Sequence, residues 1–83
     1  MKFVDLCKIL QQIEINGELV VKEECGCCGH EEEVYRKMFY RDKFGTTVEQ
    51  LKKFMDREVV AIFGEEDNRY GGVVIVVKDK DKL

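Results

Sequence analysis

Apolar residues at Phe3, Leu6, Cys7, Leu10 and Ile13 recur at spacings of three and four, the period of one helical face. They predict an opening helix over 2–12. The pattern changes to alternation in "IEINGELVV", where Asn16-Gly17 stands between two apolar-alternating runs. A two-residue hairpin turn needs positive φ at both central positions, so this dipeptide predicts strands over 13–15 and 18–23 joined by a tight turn. Residues 33–41 carry two signals. Glu32 with Arg36 and Glu33 with Lys37 make i,i+4 pairs in the order that supports a helix. Valine, tyrosine and phenylalanine directly after a reversal favour a strand returning along 18–24, and that is the reading taken.

Beyond Gly45 the helical period returns. Thr46 with Glu49, or Thr47 with Gln50, reads as a capping box, and Val48, Leu51, Phe54 and Met55 supply an apolar face. A second helix is predicted over 47–57. Strands follow over 58–63 and 73–78, the latter apolar throughout as a central strand would be. The order α(2–12), β(13–15), β(18–23), knuckle (25–30), β(33–41), α(47–57), β(58–63), β(73–78) describes one domain, 1–83, of the α+β class. It amounts to a small antiparallel-rich sheet with two helices and a zinc-knuckle turn between strands.

Composition narrows the function. The chain has 83 residues, and a domain of that size buries only about 60–65% of its unfolded surface, so its core is thin and a staple would help. A net charge of −3 argues against binding driven by phosphate neutralisation, but leaves a basic protein partner open. The longest apolar run, "VVIVV", falls far short of the roughly 20 residues a spanning helix needs. Lys2, Asp5 and Lys8 interrupt the first ten residues, unlike a secretory leader. A cytoplasmic protein without membrane association is expected. The chain has no serine, its hydroxyl groups besides tyrosine are Thr46 and Thr47, and it has one histidine. Serine nucleophiles are excluded and acid–base chemistry has few places to sit, so no enzymatic activity is expected.

The densest chemistry lies in "EECGCCGHEEE", residues 23–33, which holds three of four cysteines and the histidine. Cys25 and Cys28 form C-x-x-C followed by glycine. In a zinc knuckle this spacing turns two thiolates toward one ion, and the glycine takes the positive φ of the tight turn. Tetrahedral Zn²⁺ needs four ligands, and no second C-x-x-C is present. Cys27, His30 and Cys7 are candidates for the remaining positions, with a carboxylate or a second subunit behind them; a homodimer joined through the zinc site would complete the set. Cys7 also reads as a small core residue.

A dithiol switch is the alternative. Its attacking thiol is activated by nearby cations, whereas Glu23, Glu24, Glu31, Glu32 and Glu33 surround these thiols, with no Lys or Arg between Lys22 and Arg36. Negative charge raises a thiol pKa, while a bound dication inverts that logic. A structural zinc is therefore the favoured reading.

Two other surfaces carry weaker signals. "VYRKMFYR" interleaves Tyr35, Phe39 and Tyr40 with Arg36, Lys37 and Arg41, as a nucleic-acid-stacking sheet would. The bland reading, aromatics inward and charges outward, fits the negative net charge better. Arg69 and Tyr70 stand in a loop and are residue types enriched at interface hot spots. The acidic block at 23–33 is either a solvated rim or a surface for a basic partner.

In its size, acidity and "CGCCGH" knuckle at residues 25–30, the chain resembles the small zinc-containing phage anti-CRISPR proteins that inhibit the RNA-guided type II CRISPR nuclease. The resemblance implies a non-enzymatic inhibitor that binds the nuclease and blocks its DNA loading, with Cys25, Cys28 and their neighbours holding Zn²⁺. The acidic block would face a basic nucleic-acid channel. A zinc-ribbon-like accessory domain contacting nucleic acid through residues 35–41, and a thiol redox carrier, are the competing expectations.

Overall fold

The computed structural model describes residues 1–25, 29–64 and 71–79, without the side chains of Thr46 and Thr47. Helix α1 spans Phe3–Leu10. Strands β1 (Glu14–Cys25) and β2 (His30–Lys43) form a long antiparallel hairpin. A 3-10 helix covers Phe44–Phe54, followed by β3 (Val59–Gly64) and β4 (Gly72–Lys78). The sheet order is β2-β1-β4-β3, with β1 and β4 parallel and the other two neighbouring pairs antiparallel. This is an α+β architecture built on a four-stranded mixed sheet with two helices.

One face of the sheet carries the core. Leu19 and Val21 of β1, Phe39 of β2, and Ile75 and Val77 of β4 pack against Phe3, Leu6 and Cys7 of α1 and against Phe44, Leu51 and Phe54 of the 3-10 helix. Phe3 meets Phe54 edge-on, with ring centroids 6.5 Å apart, and so joins the two helices. On the opposite face Val20, Val74 and Val76 form a second buried cluster. That cluster explains why β4 is apolar at consecutive positions: it lies inside the sheet and is buried on both sides.

The Asn16-Gly17 hairpin turn is corrected. Strands 13–15 and 18–23 are one continuous strand, β1, and β2 pairs with it on both sides of the dipeptide. Gly17 is buried at φ 122°, while the irregularity sits on β2. Between the pairs Ile15–Asp42 and Gly17–Phe39, two β2 residues oppose the single Asn16. Arg41 occupies that bulge at φ 54°. The flexibility that glycine lends a turn here serves a bulged ladder, because a twelve-residue strand satisfies more backbone groups than two short ones.

Residues 30–43 are strand, extending the 33–41 expectation at both ends. The i,i+4 pairs that suggested a helix are replaced. A second β2 bulge, at Val34, adds one residue between the pairs Val21–Tyr35 and Lys22–Glu33. It shifts side-chain parity so that Glu33 and Arg36, three apart, share a face and bond at 2.6 Å. The second helix also differs from the expectation over 47–57. It starts at Phe44, which is fully buried and stacked on Phe39, so Thr46 and Thr47 lie inside the helix and not at its cap. Val48, Leu51 and Phe54 are spaced by three, which suits the three-residue turn of a 3-10 helix better than an α-helix.

Candidate metal centre at the hairpin tip

The β1–β2 ladder ends with Cys25 directly opposite His30. Directly opposed residues have Cα atoms roughly 4.5–5.5 Å apart and side chains on one face, so a thiolate and an imidazole reach a common point. The Gly29 N–H donates to the Cys25 carbonyl at 3.1 Å, and Gly29 sits at φ 66°. The positive φ expected of the glycine after C-x-x-C is therefore present. Cys27 and Cys28 lie outside the described residues, as do Arg69 and Tyr70. Among the described residues no three metal-ligating side chains cluster.

The ladder also sorts the glutamates. Alternation along β1 puts Glu23 and Cys25 on the helix-bearing face with Leu19 and Val21, so Glu32 and His30 opposite them share it. Glu24 and Glu31 face each other on the other side. Two successive rungs thus pair carboxylate with carboxylate, an arrangement that destabilises a ladder unless positive charge sits nearby.

One rung has its counter-charge. Arg57, only 8% exposed, donates to Glu23 Oε2 at 2.7 Å and to the Lys78 carbonyl at 3.0 Å, with its guanidinium 5.5 Å from the Phe54 ring centroid. Glu33 is held by Arg36, which also pairs with Glu18. The carboxylates of Glu24, Glu31 and Glu32 make no ion pair among the described residues. Glu32, beside Cys25 and His30 on one face, is the carboxylate placed to support a cation at the tip.

Cys7 is elsewhere. It is buried between Phe3, Leu6 and the sheet, and burial pushes its thiol up to about 11, away from the thiolate a metal requires. Residues 35–41 are dispersed as well. Phe39 is fully buried beneath Lys37, whose ammonium lies 5.0 Å from the ring centroid. Tyr35 donates to Gln50 at 2.9 Å, and Tyr40 alone of the three aromatics is exposed, at 79%. They offer no shared stacking surface.

Sequence reasoning missed Arg57 and the opposed carboxylates. Arg57 follows a helix end in sequence, like any surface arginine, and only its long-range partners Glu23 and Lys78 distinguish it. The rungs were in principle readable: "KEECGCCGHEEE" folded about its middle puts acid against acid.

Compared with protein-family models, with curated proteins and with solved structures, the chain finds no match. No helix among the described residues is long and apolar enough to cross a membrane.

Proposed function

We propose that the chain is a non-enzymatic protein-binding module whose hairpin tip is stapled by a structural Zn²⁺. Cys25 and Cys28 hold the ion, and Cys27 and His30 complete the donor set. The observation that carries the reading is the Cys25–His30 rung, which brings a soft sulfur and an imidazole together at the end of a ladder. The adjoining acid–acid rungs favour it further, since a dication offsets their repulsion. Zinc-binding energies of about 10–16 kcal/mol match the whole stability of a domain this small, so such a staple would decide whether the tip is ordered.

The partner is a protein with a basic surface, met by Glu24, Glu31 and Glu32 around the stapled tip. The likeness to anti-CRISPR inhibitors gives it a specific form: the RNA-guided type II CRISPR nuclease in the host cytoplasm, its DNA loading blocked.

Metal analysis of protein purified without added zinc tests the staple. About one zinc per chain is expected, or about half if two chains share an ion, and less than about 0.2 would falsify it. Cys25→Ser should then lower the melting temperature and release the metal. The target is tested separately by loading the purified nuclease with DNA in the presence of excess inhibitor. Unimpeded loading removes the nuclease and leaves the staple standing. Steeply salt-dependent binding to RNA or DNA would instead favour the accessory-domain alternative.

A further inference from the structure

The sheet has two edges of different character. Edge strand β2 is charged along its length, with Glu31, Glu32, Glu33, Arg36, Lys37, Arg41, Asp42 and Lys43, which is how natural sheets discourage edge-to-edge pairing. Edge strand β3 is "VVAIFG", without a charge at any position. Its start is already occupied. The Val59 N–H donates to the Met1 carbonyl at 2.8 Å, the Phe3 N–H donates to the Arg57 carbonyl at 2.8 Å, and Lys2 bridges Glu58. The N-terminal residues cover the edge over 57–59 and stop there. Among the described residues nothing pairs with the outer edge of 60–64.

That window is apolar on both sides of the sheet. Ile62 pairs with Ile75 and so lies on the helix-bearing face, yet it is 49% exposed. Phe63 pairs with Val74 on the opposite face and is 45% exposed, and Val60 is 39% exposed. A partner that covers only one face would leave the other wet, whereas an added strand covers both.

We infer that β3 is the interface for a second copy of this chain, paired antiparallel across a two-fold axis through Ile62. Charge selects the occupant. In two-fold pairing the residue on the axis meets its own copy and its flanking residues meet one another, so a strand with a charge on the axis sets like charges together, whereas β3 carries no charge at all. In β3 the axis through Ile62 sets Ile62 against Ile62, Ala61 against Phe63 and Val60 against Gly64. The five bare positions are used up, each opposite an uncharged one. Met1–Phe3 block pairing on one side of this uncharged stretch and, in the sequence, the acidic pair Glu65-Glu66 follows it on the other, so an axis through Ile62 is central to it. The product is one eight-stranded sheet with both helix pairs on the same face. This surface is separate from the hairpin tip at the other edge, and the inference does not rest on the metal.

Sedimentation equilibrium of the full chain, with and without EDTA, tests it. A short interface of this kind should give a monomer–dimer equilibrium with a dissociation constant of roughly 10–100 μM, unchanged in form by EDTA. Ile62→Lys should be monomeric at every concentration while keeping the parental far-UV spectrum, and Ile62→Val should still dimerise and guard against a misfolded lysine variant. A parent chain that stays monomeric to about 1 mM overturns the inference. So does a dimer that Ile62→Lys leaves intact, or one that EDTA abolishes, which would place the contact at the metal.

Discussion

Replacing Arg57 by methionine isolates the anchor between the acidic hairpin and the rest of the domain. Methionine keeps an unbranched apolar stem of similar length, so packing along Phe54 is largely preserved while the guanidinium is removed. Three interactions go with it: the charge-assisted bond to Glu23 at 2.7 Å, the bond to the Lys78 carbonyl at 3.0 Å, and the guanidinium over the Phe54 ring. The first is worth about 1.5–3 kcal/mol and the second about 1. The third adds about 0.5–1. Glu23 is left facing Glu32 without its counter-charge, though its side chain is 23% exposed and recovers some hydration. A loss of about 3 kcal/mol results, at the lower end for breaking a buried pair.

In a domain of this size each kcal/mol moves the melting temperature by about 4–8 °C, so thermal unfolding followed by circular dichroism should fall by roughly 12 °C or more. Glu23→Gln should lose less, since a neutral amide still accepts the bond and relieves the rung. The double variant should fall short of the summed losses, revealing the coupling. An Arg57→Met variant that melts within about 3 °C of the parent would refute the anchor, and with it the account of how the tip tolerates opposed carboxylates.

Three further outcomes are expected. Gly17→Ala should cost about 1–2 kcal/mol in urea unfolding, because φ 122° is a backbone conformation that a residue with a Cβ adopts only under strain; an unchanged midpoint would mean the bulge re-forms elsewhere. Cys7 should resist alkylation in the native chain at pH 8 and react once unfolded, since its thiol is neutral and enclosed; labelling at the rate of a small-molecule thiol would contradict its place in the core. The Glu58 carboxyl is held below its ordinary value by the Met1 ammonium 2.8 Å away. A lowered carboxylate pKa gives stability present above the unfolded value and lost as pH falls through the folded one, so Glu58→Gln should lower stability slightly at neutral pH and flatten the acid limb below about pH 4.5. An unchanged acid limb would show that the pair contributes nothing.

Local chemistry specified much of this protein directly. The three-and-four spacing of Phe3, Leu6, Cys7 and Leu10 made α1, and the unbroken apolar run at 73–77 made an interior strand, because burial on one face or on two leaves its own period in the chain. The reversal at 25–30 was legible for the same reason: Gly29 is needed where the backbone turns to positive φ. What the sequence by itself could not determine were choices made by distant partners. Asn16-Gly17 has the composition of a hairpin turn, yet β2 pairs across it and turns its freedom into a bulge. Thr46 and Thr47 look like caps, yet Phe44 is drawn onto Phe39 and starts the helix earlier. Arg57 and Glu23 are 34 residues apart and only the sheet brings them into contact. At the candidate site, residue types and spacing pointed to Cys25 and His30. Their meeting on the last rung, with Glu32 beside them, follows from folding this stretch about its middle, whereas Cys7 was taken out of reach by the packing of α1 on the sheet, which no local pattern announces.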